Sequence, residues 1–333
     1  MLYDEEDYEL RAKWRQSNKL DDKRQLACFG FDSDVRDLMH DPRWSQDKKI
    51  KEAIIIKHGM CLDQFVHDPD EDIRAAVASK WRDEDLEILV HDPSVKVREM
   101  VAVNADCAMN TSKYFDILVN DESPDVRLLV AMKVSCYGKP TNPYLDILVH
   151  DPSPLVRKEV AHYAIKEHLD ILVNDPDEKV REAVAYWGHR PKDLNKLVKD
   201  PSPIVRKEVA KQGRDRNLDV LVHDPDPAVR EAVAEQGRDQ DLDKLVNDPD
   251  EGVRMAVAEW GRLQDLDKLV HDPFQIVRVA VARIGRSKDL DILVRDPDPW
   301  VRREVARYGR PKDLDILDDD PHWAVQEMIF GHS

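Results

Sequence analysis

Apolar residues along most of this chain fall at i, i+3 and i+4, the spacing of one face of a helix, and they do so in pairs of short blocks. In the stretch Asp241 to Arg262, Leu242, Leu245 and Val246 predict a helix of about two turns with some 3₁₀ character. Val253, Ala256 and Val257 predict a second, longer helix. Asp241 is the expected N-cap of the first helix. Asp248 is the expected cap of the second, with Pro249 in its first position, where the missing N–H costs nothing. Gly261 stands where a left-handed terminating residue is expected. No useful stretch alternates with period two, so the pattern predicts an all-α chain.

The pair of blocks recurs. Asp-Pro, or a near copy, marks it at Asp41, Asp68, Asp92, Asp121, Asp151, Asp175, Asp200, Asp224, Asp248, Asp272, Asp296 and Asp320, and the last five intervals are all 24 residues. A unit this small cannot bury its own apolar face and must stack on its neighbours, which predicts a solenoid of about 11–12 two-helix repeats. The first-helix column runs Leu62, Leu86, Phe115, Leu145 and on to Leu314; the second runs Ile73, Val97, Val126 and on to Val325. Closing glycines stand at 188, 213, 237, 261, 285 and 309. An arginine follows each mark by six residues from Arg74 to Arg302, and a residue that keeps the period strictly is expected to pair with carboxylates or helix-end carbonyls and join the repeats.

The string L-x-x-L-V-x-D-P-x-x-x-V-R-x-x-V-A, as in Leu266 to Ala282, resembles the leucine-rich repeat variant, a relation of HEAT repeats. The resemblance covers roughly residues 60–325. It implies α-helices alternating with shorter, often 3₁₀, helices in a right-handed superhelical α-solenoid. One branch of that family adds an N-terminal cysteine cluster for an iron–sulfur centre, and this chain departs from that pattern. The expected division is an N-terminal helical cap at 1–40, the repeat solenoid at 41–325 and a C-terminal cap at 326–333.

Charge narrows the function. Lys plus Arg number 51 and Asp plus Glu 68, a net charge of −17. That balance repels a phosphate backbone and favours a protein partner with a basic surface. No apolar run approaches a bilayer span, so no membrane contact is expected. The acidic start, Met1 to Asp7, lacks the order of a secretory signal, and four cysteines do not suggest a disulfide scaffold; both point to the cytoplasm.

Catalytic and cofactor signals are weak. Cys28, Cys61, Cys107 and Cys136 have no ligand spacing, although Cys107 and Cys136 share a position in successive repeats and could form a metal or redox pair. Six histidines precede the marked aspartates and exchange with asparagine, as a turn position would. An acidic column (Asp63, Glu87, Asp116, Asp146, Asp170, Asp219, Asp243, Asp267, Asp291, Asp315) reads as favourable charge early in a helix, or as a stripe imitating phosphates. No phosphate loop, nucleophile elbow or zinc-hydrolase helix occurs. No enzyme activity, cofactor or metal is expected.

Recognition belongs to positions that escape the period. One column, near the inward valine direction, contains Tyr163, Trp187, Trp260 and Tyr308; its aromatics are expected to be half-buried packing or exposed anchors. A second, outward one contains His162, Tyr186, Lys211, Glu235, Glu259, Arg283 and Arg307, and Trp300 joins them. Two lengthened repeats, at 104–116 and 134–144, add loops on one edge, and Met328 to Phe330 offers either an apolar lid or a surface for self-association. The sequence therefore points to a non-enzymatic scaffold gripping a basic protein with its concave face. An acidic inhibitor imitating nucleic acid is the alternative. An enzyme like the HEAT-like DNA-repair glycosylases is disfavoured by charge.

Overall fold

The computed structural model describes residues 5–105, 113–135, 142–188, 190–308 and 310–331. All regular structure among them is helical. The chain forms two compact units, Met1–His168 and Leu169–Ser333. In each, a short helix leads through a tight turn into a longer one, and long helices pack directly on the long helices of neighbouring layers.

The layer at Asp239–Leu245 and Glu251–Trp260 shows how the residues make the pattern. The short helix is α-helical, and 3₁₀-type bonds are confined to its ends, as where the Asp248 N–H reaches the Leu245 carbonyl at 3.0 Å. Asp248 does not cap the long helix. Its Oδ1 accepts from the Asp250 N–H at 3.0 Å and so shapes the turn, and Asp250 is the cap, accepting from the N–H groups of Gly252 and Val253. The Asp-Pro mark is thus a turn between helices. In other layers the proline three residues later (Pro154, Pro203, Pro227, Pro299) opens the long helix. Asp241 is not a cap either; it lies inside the short helix, fully buried.

The left-handed glycine also holds only in part. Gly213, Gly237 and Gly285 have φ of +65°, +67° and +73°. Gly261 is extended, with φ −84° and ψ −165°, and Gly188 is the last residue of the helix Glu178–Gly188. Gly309 lies outside the described residues.

The core follows the two apolar columns. Ile73 and each valine from Val97 to Val325 in the long-helix column are completely buried, and the short-helix column is buried too, except the half-buried Leu314. In the first unit the helices Glu5–Gln16, Leu20–Phe29 and Asp32–His40 precede Lys48–Ala53, which runs on into a π-helical turn, Ile54–His58. At the other end Gln326 stands where an arginine is usual, and its Nε2 donates to the carbonyls of Asp318 and Asp320.

Candidate functional site

The strictly periodic charges are occupied in holding layers together. In the arginine rungs within each unit, the column arginine donates Nη1 to the carbonyls of its own turn and both Nε and Nη2 to the carboxylate of the next turn. In the first unit the rungs are Arg74–Asp92, Arg98–Asp121 and Arg127–Asp151, preceded by Lys51–Asp68. In the second they run Arg181–Asp200, Arg206–Asp224, Arg230–Asp248, Arg254–Asp272, Arg278–Asp296 and Arg302–Asp320. Bidentate charge-assisted bonds of 2.5–3.0 Å with backbone anchoring make this column a cohesive ladder, as the period implied.

A second ladder was not foreseen. The arginine at the N-cap of the short helix clasps the buried aspartate three residues on and reaches back to the acidic column of the preceding layer. Arg238 holds Asp241 and Asp219; Arg286 holds Asp289 and Asp267; Arg310 holds Asp313 and Asp291. Arg82 and Arg190 repeat the motif, and Arg262 makes the same two contacts ahead of the shorter helix Leu266–Leu269, where Asp265 is the N-cap. Most of the acidic column is therefore tied to the next layer rather than forming a free stripe. It sits past the first turn in the seven-residue short helices, whereas Asp63, Asp116, Asp146 and Asp267 lie in the first turn of shorter ones, where the helix-terminus charge effect applies. Hydrogen bonding by Lys288, then Arg286, holds the Asp267 carboxyl below the usual carboxylate range. The spacing R-x-x-D with an Asp nineteen residues before the Arg was the available signal.

The aperiodic candidates divide between the units. His162 and Tyr163, rings 4.0 Å apart, are half-buried in the first. In the second, Tyr186 and Trp187 form an edge-to-face pair at 4.4 Å and are 49% and 42% exposed. Trp260 is 61% exposed, Trp300 46% and Tyr308 44%. Trp260 is therefore mostly exposed, whereas Trp187 and Tyr308 pack with part of their rings and leave the rest in solvent. They end their helices or lie just past them, where no further turn covers the ring. Tyr308 also donates its hydroxyl to the Arg283 carbonyl, bridging two layers.

The basic candidates are engaged with neighbouring carboxylates. Lys211 Nζ lies 3.1 Å from Glu208 Oε2, and Arg283 lies between Glu259 at 3.6 Å and Glu304 at 3.9 Å. Arg307 stands 3.6 Å from Glu304, while Glu235 is half-buried. Of the inserted loops, Cys107 and Cys136 lie outside the described residues. Cys28 and Cys61 are unpaired thiols, and no group of three metal-binding side chains exists among the described residues.

Two further features stand out. At the turn edge of the second unit, Trp300 meets Trp323 edge-on at 6.3 Å, His322 stacks on Trp323 at 5.8 Å, and the Arg303 guanidinium lies 5.8 Å from the Trp300 ring. The aromatic spacing Trp300–Trp323, one layer, was legible in sequence but unweighed. In the first unit a cavity of about 950 Å³ lies among the cap helices, lined by Arg11, Arg36, Lys57 and His58 and by the rings of Trp14, Phe29 and Phe31.

No protein-family profile and no curated protein matches the chain. Among solved structures it is similar to a leucine-rich repeat variant described as having a novel repetitive structural motif, with 26% identity over 71% of this chain and 86% of that one, at a TM-score of 0.49. It is also similar to the Escherichia coli protein YibA, with 18% identity over 86% of this chain and 99% of that one and a TM-score of 0.33. A computationally designed armadillo repeat protein for modular peptide recognition shares 15% identity over 77% of this chain and 98% of that one, at a TM-score of 0.17. The repeat architecture stands on the packing and ladders of this chain itself. No helix among the described residues is long and apolar enough to cross a membrane.

Proposed function

We propose that this chain is a non-enzymatic protein-binding scaffold, with the exposed aromatic residues of the second unit as its anchors. One observation carries the reading: the periodic side chains are consumed in cohesion, whereas Tyr186, Trp187, Trp260 and Trp300, at positions free to vary, leave much of their rings in solvent. Large rigid aromatics with free surface are the residues that contribute most binding energy at protein interfaces. The net charge of −17 supports a partner with a basic surface, which long-range attraction would steer toward it. The two ladders neutralise the regular carboxylates, which weighs against phosphate imitation.

The test is capture of partners from host lysate by the wild-type chain and by a Tyr186→Ala/Trp187→Ala/Trp260→Ala variant that retains its helical signal and unfolding midpoint. Loss of a salt-sensitive partner in the variant supports the reading. Equal capture by both removes this surface.

A further inference from the structure

One position in the long helices is small and buried in most layers of the second unit: Ala183, Ala232, Ala256 and Ala280 occupy it. Glu208 and Glu304 interrupt the series, each only 6% exposed. Glu208 is satisfied, accepting from Lys211 Nζ at 3.1 Å and Gln212 Nε2 at 3.3 Å. Glu304 is not. Its Oε2 is buried and accepts no hydrogen bond. The nearest cations stand off beyond hydrogen-bonding range: Arg307 Nη1 at 3.6 Å and Arg283 Nε at 3.9 Å from Oε2, and Arg303 Nη1 at 3.6 Å from Oε1.

This carboxylate lines a cavity of about 460 Å³ between the helix Pro299–Arg307 and the last two helices, Pro311–Leu317 and Trp323–Phe330. Arg303 and Arg307 form its charged wall, and Leu314, Met328 and Ile329 its apolar wall. A buried acceptor without a donor costs the full desolvation of that group, so the missing partner must be an N–H or O–H donor. A simple cation would meet three arginines, and a simple anion would meet Glu304. A carboxylate with an N–H donor one carbon away meets neither conflict.

We propose that this cavity binds the carboxyl-terminal unit of an amino acid or polypeptide. The carboxylate lies between Arg303 and Arg307, where guanidinium groups bind carboxylates in forked geometry. The α-nitrogen donates to Glu304 Oε2, and an apolar side chain packs on Leu314, Met328 and Ile329. Two sources carry this chemistry, a free amino acid, whose α-nitrogen is an ammonium, and a polypeptide C-terminus, whose α-nitrogen is an amide N–H. The cavity shares Arg303 with the Trp300 cluster but is not lined by Tyr186, Trp187 or Trp260.

Calorimetric titration of the full chain separates the possibilities. The probes are free leucine, a hexapeptide ending in leucine with a free carboxylate, the same peptide amidated, and inorganic phosphate. Expected is saturable binding of leucine, the acid peptide or both, lost on amidation and weakened at least tenfold in Glu304→Ala and in Arg307→Ala. Binding of the acid peptide alone assigns a polypeptide end; binding of free leucine alone assigns the amino acid. Glu304→Ala installs the residue that four other layers carry, so it folds, which its thermal midpoint checks. Glu304→Gln keeps an acceptor and retains more binding than the alanine variant. No saturable binding by either probe, binding indifferent to Glu304→Ala, or phosphate binding equal to that of the acid peptide overturns the proposal.

Discussion

The Arg254 guanidinium places Nε 2.6 Å and Nη2 2.9 Å from the two carboxylate oxygens of Asp272, eighteen residues along the chain. Its remaining edge donates to the carbonyls of Asp248 and Pro249 at 2.7 and 3.2 Å. One side chain thus ties its own turn to the next, with both partners under 10% exposed. Truncating either leaves a buried charge without its counterpart, which costs about 3–5 kcal/mol. Arg254→Ala and Asp272→Ala should each lower the unfolding free energy by that amount, read from urea denaturation. In the double variant the two effects should fall well short of additive. Arg254→Lys should recover little, since an ammonium cannot make the forked pair. Additive losses would show that the rung is not a unit.

The layer at Asp215–Leu221 carries Asn217 where Asp241, Asp265, Asp289 and Asp313 clasp an arginine three residues before them. Asn217 is buried at 2% exposure and its Nδ2 has no acceptor. Asn217→Asp removes the orphan donor and supplies the carboxylate that the motif uses. A gain of roughly 1 kcal/mol in unfolding free energy is expected. A loss would show that this layer is built on different lines.

Gly237 and Gly285 both need positive φ, at +67° and +73°, but their surroundings differ. A Cβ at 237 would meet only the Trp260 carbonyl at 3.5 Å, whereas at 285 it would lie 2.5 Å from the Tyr308 ring. Gly237→Ala should cost about 1–2 kcal/mol, the left-handed penalty alone. Gly285→Ala should cost more, because Tyr308 must also move. Equal losses would place the effect in the backbone only.

Acid should weaken the fold. Burial alone would raise the Asp92 carboxyl, but hydrogen bonds from Arg74 and the Ser94 N–H hold it below its usual value of 3.8; Arg302 holds Asp320 down in the same way. A carboxyl with a lower value folded than unfolded stabilises the fold above the unfolded value. That stability disappears as pH falls through the folded one. Denaturant midpoints should therefore be level near neutrality and fall below about pH 4. Asp320→Asn should flatten the fall, and a midpoint that rises on acidification would contradict the assignment.

Sequence was most informative where one physical demand repeats. Val253 and its column must be apolar because every layer buries that position, and Arg254 with Asp272 must keep the interval because they meet across it. Glycine and capping positions were read less well. Several polar residues near a turn can satisfy the same N–H, and only the backbone path shows that Asp250 rather than Asp248 does so.

By itself the sequence determined an all-helical stack of about two dozen residues per layer, because periodic burial and periodic pairing write themselves into the chain at fixed intervals. Only the tertiary structure decided which charges are spent and which rings are free. That choice depends on contacts between layers: Arg238 consumes Asp219 from the layer before, Trp260 ends its helix uncovered, and Glu304 faces a cavity whose far wall comes from the last helix.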